Sequence, residues 1–179
     1  MGRDYKSAIR RSFDTDIDAL RTIDPTHGMI HRGRHLNRDI YSSDIDTSQG
    51  SRIAFLSTKE AHVLPIGNWS AGSRLEIWED VTLTSTGVAL TSYNSKRSST
   101  YVQGLTVFSG IAIYDISKSG TNIRTYYDGS AGGGPNKNSG TVRANEIEIL
   151  EDIYYIAWLI PDADNTKGVV GVDWYEPEK

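Results

Sequence analysis

Apolar and polar residues alternate between Arg74 and Ser99 in a pattern that predicts a β-hairpin. Leu75, Ile77, Val81 and Leu83 occupy odd positions and share one face at a period of two, with Glu79 as the exception on that face. Glu76, Asp80, Thr82 and Thr84 look outward, together with the large amphipathic ring of Trp78. Ser85, Thr86 and Gly87 supply turn chemistry, and Val88, Leu90 and Tyr93 resume the alternation in a return strand. Asn94 to Ser99, reading NSKRSS, then forms a polar basic tip that nothing in the pattern would bury.

Upstream, Tyr5, Ile9, Phe13, Ile17, Leu20 and Ile23 recur every three or four residues, which predicts an amphipathic helix over 4–23 that Pro25 ends. Its apolar stripe needs a surface: the chain's own core, a neighbouring subunit, another protein or a membrane. Asp14, Asp16 and Asp18 among its basic residues argue against an anionic membrane. Thr26 to Gly50 is polar, holds Arg32, Arg34 and Arg38 close together, and reads as an extended arm or irregular loop with one strand.

From Arg52 onward short apolar, β-branched runs are separated by turn signals. They predict strands over 52–57, 61–66, 74–84, 88–93, 104–116, 121–127, 141–143, 146–150, 153–160 and 169–175, the longest bending at Gly110. Strands in this number without intervening helices predict an all-β fold, an antiparallel β-sandwich of which the jelly roll is the commonest form. The division expected is an N-terminal helix and arm over 1–28 and a β-sandwich over 29–179. The run Ile153 to Ile160 is apolar on both faces, as in a central strand or one whose second face meets another subunit. Asp128 to Gly140 is a Gly-rich surface loop.

A chain of 179 residues supports one well-buried core. Its 37% hydrophobic and 23% charged residues suit a soluble globular protein; a membrane span and a secretory signal are not expected. The absence of cysteine excludes disulfides and thiolate chemistry. The net charge of −4 is uneven: residues 1–38 hold eight Lys/Arg against five Asp/Glu (+3), the remainder eleven against eighteen (−7). A basic head on an acidic body suits an arm meeting a negative surface, and also suits plain solvation.

Catalytic and ligand-binding patterns are thin. His27, His31 and His35 have the spacing of a metal-binding helix face, but Pro25, Gly28 and Gly33 disfavour a helix there, so no metal or cofactor is expected. Lys137 follows Asn136 in a loop that runs into a strand, not a helix, unlike a phosphate-binding loop. Glu146 and Glu148 alternate with Ile147 and Ile149 as on a solvated strand face, and no serine sits in a Gly-x-Ser-x-Gly elbow, so no enzyme is expected. Trp69, between Asn68 and Ser70, is the best exposed ring for stacking on a sugar. Scattered basic residues on an acidic body do not favour nucleic acid.

Ile23-Asp24-Pro25-Thr26-His27-Gly28-Met29-Ile30-His31-Arg32-Gly33 resembles the Ile-Asp-x-x-His-x-x-Ile-His-x-Gly opening of head decoration, or cement, proteins of tailed bacteriophages. Lys59-Glu60-Ala61-His62, the Leu75-Glu76-Ile77-Trp78-Glu79 strand, Ser85 to Ser99, the Gly-rich loop, Glu146 to Leu150, Tyr154-Tyr155 and Asp173-Trp174-Tyr175-Glu176 are similar to further landmarks of that family, in order, over residues 23–176. The chain departs from it in having Val88 where Thr is usual, and Lys96 and Glu148 where Asn and an aromatic-aliphatic pair are usual.

The resemblance implies a trimeric structural protein on the outer surface of the phage head, bridging subunits of the major capsid protein without touching nucleic acid or membrane. Interface residues expected on that reading are Tyr5, Ile9, Phe13, Ile17 and Leu20 of the helix, with Arg32, Arg34, Glu79 and Arg97; Glu79 is a candidate partner for Arg97 of the same or a neighbouring chain. The other reading is a carbohydrate-binding module of a head or tail fibre that contacts the host surface through Trp69.

Overall fold

Period-two alternation from Ser51 to Tyr175 sorts side chains onto two faces, and a chain folded this way must cover the apolar face with a second sheet. The computed structural model describes residues 13–14, 19–20, 32–70, 72–113, 115–128 and 146–177. In chain order the elements are β1 (Phe13–Asp14), β2 (Ala19–Leu20), β3 (His35–Ile45), β4 (Ser51–Ser57), β5 (Ala61–Trp69), β6 (Ser73–Glu79), β7 (Leu83–Ser85) and β8 (Val88–Leu90). There follow β9 (Tyr93–Asn94), β10 (Leu105–Ser109), β11 (Ala112–Ile113), one helical turn α1 (Ile116–Ser119), β12 (Thr121–Asp128), β13 (Ile147–Ile149), β14 (Tyr154–Pro161) and β15 (Thr166–Tyr175).

The strands form an antiparallel β-sandwich. One sheet has the order β12-β6-β14-β4-β10-β8 and the other β13-β5-β15-β3-β9, so β3, β4, β5 and β6 alternate between sheets, as do β12 to β15. The core between them holds Ile53, Phe55, Leu75, Ile77, Tyr155 and Leu159 from the first sheet against Leu36, Val63, Trp69, Val170, Val172 and Trp174 from the second. Phe55 and Tyr155 stack at 5.5 Å.

A second apolar cluster explains the run that is apolar on both faces. β14 lies between β6 and β4, with Tyr155, Ala157 and Leu159 turned into the sandwich. Ile156 turns the other way, onto Ala54, Val81 and Ile111, with Trp78, Tyr154 and Trp158 packed around them. Paired β7 and β11, carrying Leu83 and Ile113, and Ile116 of α1 cover this outer face. The strand is central, and its second face is covered by the chain itself.

Two expectations need correction. The stretch from Arg74 onward is not a hairpin: β6 ends at Glu79 because Asp80 takes the left-handed conformation (φ 56). Its continuation is then dealt to three different partners, β7 to β11, β8 to β10 and β9 to β3. Secondly, Phe13–Asp14 pairs antiparallel with Ala19–Leu20 where a continuous helix was expected; the rest of the 4–23 stretch lies outside the described residues, as does the Gly-rich loop beyond Asp128. The one strand expected between Thr26 and Gly50 is β3, eleven residues long, between β15 and β9. The expected bend at Gly110 is present, with φ 66 separating β10 from β11.

Asp173 lies on the outer face of β15, where burial and then the nearby charge of Asp39 push its carboxyl up to about 6. A carboxyl raised in the folded state contributes stability that is complete below its ordinary 3.8 and lost as pH rises through about 6. Asp173→Asn is therefore expected to raise the thermal midpoint at pH 7 to 8, with the gain vanishing as pH falls below about 4. For the packing, Leu159→Ala and Ile156→Ala are each expected to cost ~2–5 kcal/mol in urea unfolding although they face opposite sides of β14; a near-neutral Ile156→Ala would show that the outer cluster is not a true core.

Candidate binding surface at the β3–β9 edge

The polar basic tip is fixed in place by hydrogen bonds. β9 adds to β3 with Leu36 opposite Asn94 and Asn37 opposite Tyr93. Just before β3, Gly33 has φ 70, and a Cβ there would lie 2.4 Å from Ser99 Oγ, so only glycine lets the two segments approach. The Gly33 carbonyl accepts from Asn94 Nδ2 at 2.6 Å and from Ser99 Oγ at 2.9 Å. The Ser95 amide donates to the His35 carbonyl at 2.9 Å, and His35 Nδ1 lies 2.7 Å from Ser95 Oγ. Burial holds the His35 imidazole below its usual pKa, which suits a neutral hydrogen-bonding ring.

Beside this tip sits a carboxylate that is almost wholly buried. Glu176, 1% exposed at the end of β15, accepts from the Gly104 amide at 2.8 Å, the Leu105 amide at 3.1 Å, Tyr101 Oη at 2.7 Å and Trp174 Nε1 at 3.4 Å. Lys59 Nζ lies 3.9 Å away, and Arg34 donates to the carbonyls of Glu176 and Pro177 at 3.3 and 3.1 Å. Arg34, Lys59, Glu60, Tyr101, Glu176 and Pro177 line an open cleft of about 390 Å³.

Cations gather over two tyrosine rings. Arg34 and Lys59 lie 5.0 and 5.3 Å from the Tyr101 ring centre, and Arg38 and Arg97 lie 5.4 and 5.5 Å from that of Tyr93. Arg32, exposed, precedes Gly33 on the same edge. Long cationic side chains laid on rings keep their charge in water with fewer conformations open to them, which is how a surface is made ready for a negatively charged partner.

The expected site residues divide. Arg32, Arg34 and Arg97 belong to this one basic surface. Glu79 does not join them: its carboxylate accepts from Tyr155 Oη at 2.7 Å, that oxygen also receives the Leu150 amide at 3.0 Å, and the Tyr155 phenol is held well above its ordinary pKa, by burial first. The pairing of Glu79 with Arg97 within the chain is thus replaced by Glu79–Tyr155 and Arg97–Tyr93. Trp69 is not exposed: β5 runs three residues further than its alternation predicted, and Trp69, on the inward parity, is 6% exposed in the core. Its ring faces are not available to a sugar.

Phe13 is the backbone partner of Leu20 in the β1–β2 pairing, while Tyr5, Ile9 and Ile17 lie outside the described residues, as do His27 and His31. Among the described residues no cluster of three His, Asp or Glu is placed to hold a metal ion. The paired carboxylates serve the framework. Glu76 accepts from Arg74 Nε at 2.8 Å and Trp78 Nε1 at 2.9 Å. Glu146 takes His62 Nδ1 at 2.5 Å and the Tyr175 hydroxyl, with the His62 and Tyr175 rings stacked at 4.9 Å. Sequence reasoning missed Tyr93, Tyr101, Lys59 and Glu176 as parts of one surface. The only signal was tyrosine next to basic residues, since the contacts span as many as 143 positions. Compared with known proteins, the chain matches no family model, and no curated protein matches it.

Burial, the Glu176 hydrogen bond and the Glu176 charge push the Tyr101 phenol up to about 12. Its contribution to stability is intact below the ordinary value of 10.0 and is lost as pH rises through about 12. Glu176→Gln is expected to cost ~1–3 kcal/mol, because two backbone amides lose an ionised acceptor. It should also shift the Tyr101 titration, followed by phenolate absorbance, back toward the ordinary range.

Proposed function

We propose that the chain is a structural virion protein: a trimer that binds the outer surface of a tailed-phage head and stabilises it by bridging subunits of the major capsid protein. The β3–β9 basic surface and the N-terminal segment supply the contacts. The observation that carries this reading is that segments resembling the decoration-protein landmarks, far apart in the chain, meet in space. Gly33 of the first is bonded by Asn94 and Ser99 of another, His62 of Lys59–His62 stacks on Tyr175, and Glu176 of the closing landmark fixes Tyr101 to Leu105.

The connections support a jelly-roll reading of the sandwich. The four-strand series β13-β5-β15-β3 and β12-β6-β14-β4 interleave as two Greek keys do, with β8, β9 and β10 as additions at the edges. Such a body suits a cement protein, whose work is to bury area on several subunits at once so that modest contacts add by multivalency. Arginine and tyrosine over a rigid backbone are the residue types that concentrate binding energy at protein interfaces. Neither membrane nor nucleic acid enters this role.

Deleting residues 1–28 is expected to leave a folded β-sandwich with weakened attachment to heads assembled without the protein. Co-sedimentation measures occupancy, and the mass of the released protein gives the oligomer; unchanged occupancy would remove the N-terminal segment from the interface.

A further inference from the structure

Arg38 and Arg97 share one ring and, among the described residues, form no ion pair. Their guanidinium carbons lie 5.4 and 5.5 Å from the centre of the Tyr93 ring, which is 45% exposed. Neither takes part in the ion pairs formed among the described residues, which join Lys59 to Glu176, His62 to Glu60 and Glu146, and Arg74 to Glu76. Arg38 Nε is buried with no acceptor, and so is Ser92 Oγ, beside Tyr93 in the chain. The ring orders these head groups without accepting their N–H groups, so the planar donor forks remain available for bidentate hydrogen bonds. β9 itself is held by the Asn94, Ser95 and Ser99 bonds, so the pair sits on a fixed support.

We infer that Tyr93, Arg38 and Arg97 form a carboxylate-receiving clamp, and that its occupant is an acidic segment of the protein surface to which the chain docks. This deepens the proposed function and rests on it for the identity of the partner. The chemistry favours a polypeptide carboxylate over nucleic acid. Guanidinium groups already lie over the ring, so a base finds no bare stacking platform. The Glu79 carboxylate of a second copy is a poor occupant, because it is engaged by Tyr155 within its own chain.

The test uses the full chain and three probes: a capped hexaglutamate peptide, its hexaglutamine counterpart and a short single-stranded oligonucleotide, each followed by fluorescence anisotropy in low and physiological salt. The clamp is supported if wild type binds hexaglutamate, more weakly as salt rises, ignores hexaglutamine, and loses tenfold or more of its affinity in Arg97→Gln, with Arg97→Lys recovering only part of it. Arg97 is exposed, so the variant is expected to fold, and its unfolding midpoint checks this. Equal peptide binding by Arg97→Gln, or preference for the oligonucleotide over hexaglutamate, overturns the inference. Attachment to undecorated heads separates the two claims. Heads bound equally well by wild type and Arg97→Gln sink the clamp and leave the decoration role standing; hexaglutamate bound through Arg97 by a wild type that ignores heads sinks the role and leaves the clamp.

Discussion

A carboxylate cannot be buried in a protein interior unless its oxygens are fully hydrogen-bonded, and the arrangement around Glu176 follows from that constraint. Two consecutive backbone amides, a phenol and an indole converge on it from segments that the chain delivers separately. Satisfying it fixes where residues 101–105 run, hence where β10 starts and where the Tyr101 ring stands. Arg34 reads the same chain terminus through the carbonyls of Glu176 and Pro177, so the start of β3 is tied to the end of β15. The basic surface is thus a by-product of solving a burial problem: the cations lie on rings whose positions the buried carboxylate and the Gly33 junction have set.

The fold was legible wherever a strand had one buried face. The alternation of β5 over 61–66 and the twofold apolar run of β14 found both strands, with β5 continuing to Trp69, because hydrophobic burial acts on each residue by itself. β3 was expected only as one strand somewhere in 26–50, for the converse reason: HLNRDIYSSDI puts polar residues on its open face and buries few large apolar groups, so its strand character comes from hydrogen bonding to β15 and β9. The hairpin at Arg74 failed on Asp80, a single left-handed residue that redirects the chain while leaving Val81 and Leu83 apolar, now in the outer cluster.

The candidate surface was only half legible. Arg32, Arg34 and Arg97 announced themselves as basic residues outside any apolar pattern, but what orders them did not. Tyr93 and Tyr101 read as ordinary strand or loop aromatics, and Glu176 as one acid among many near a chain end. Trp69 was misjudged because polar neighbours suggested a loop, whereas Asn68 is simply the outward residue of a strand that continues. Pairings across tens of residues carry no local period, and no reading of local pattern recovers them.

The sheet edges bear on how many copies can stand side by side. Among the described residues β8, β9 and β13, each two or three residues long, stand at three of the four edges, and β9 covers only Leu36 and Asn37 of the eleven-residue β3. The fourth edge, β12, is eight residues long, but its pairing with β6 slips between Asn122 and Arg124. A bulge there twists the outer row of amides and carbonyls away from the flat geometry that strand addition needs. Strand addition is therefore disfavoured at the β12 edge by the shape of the edge itself.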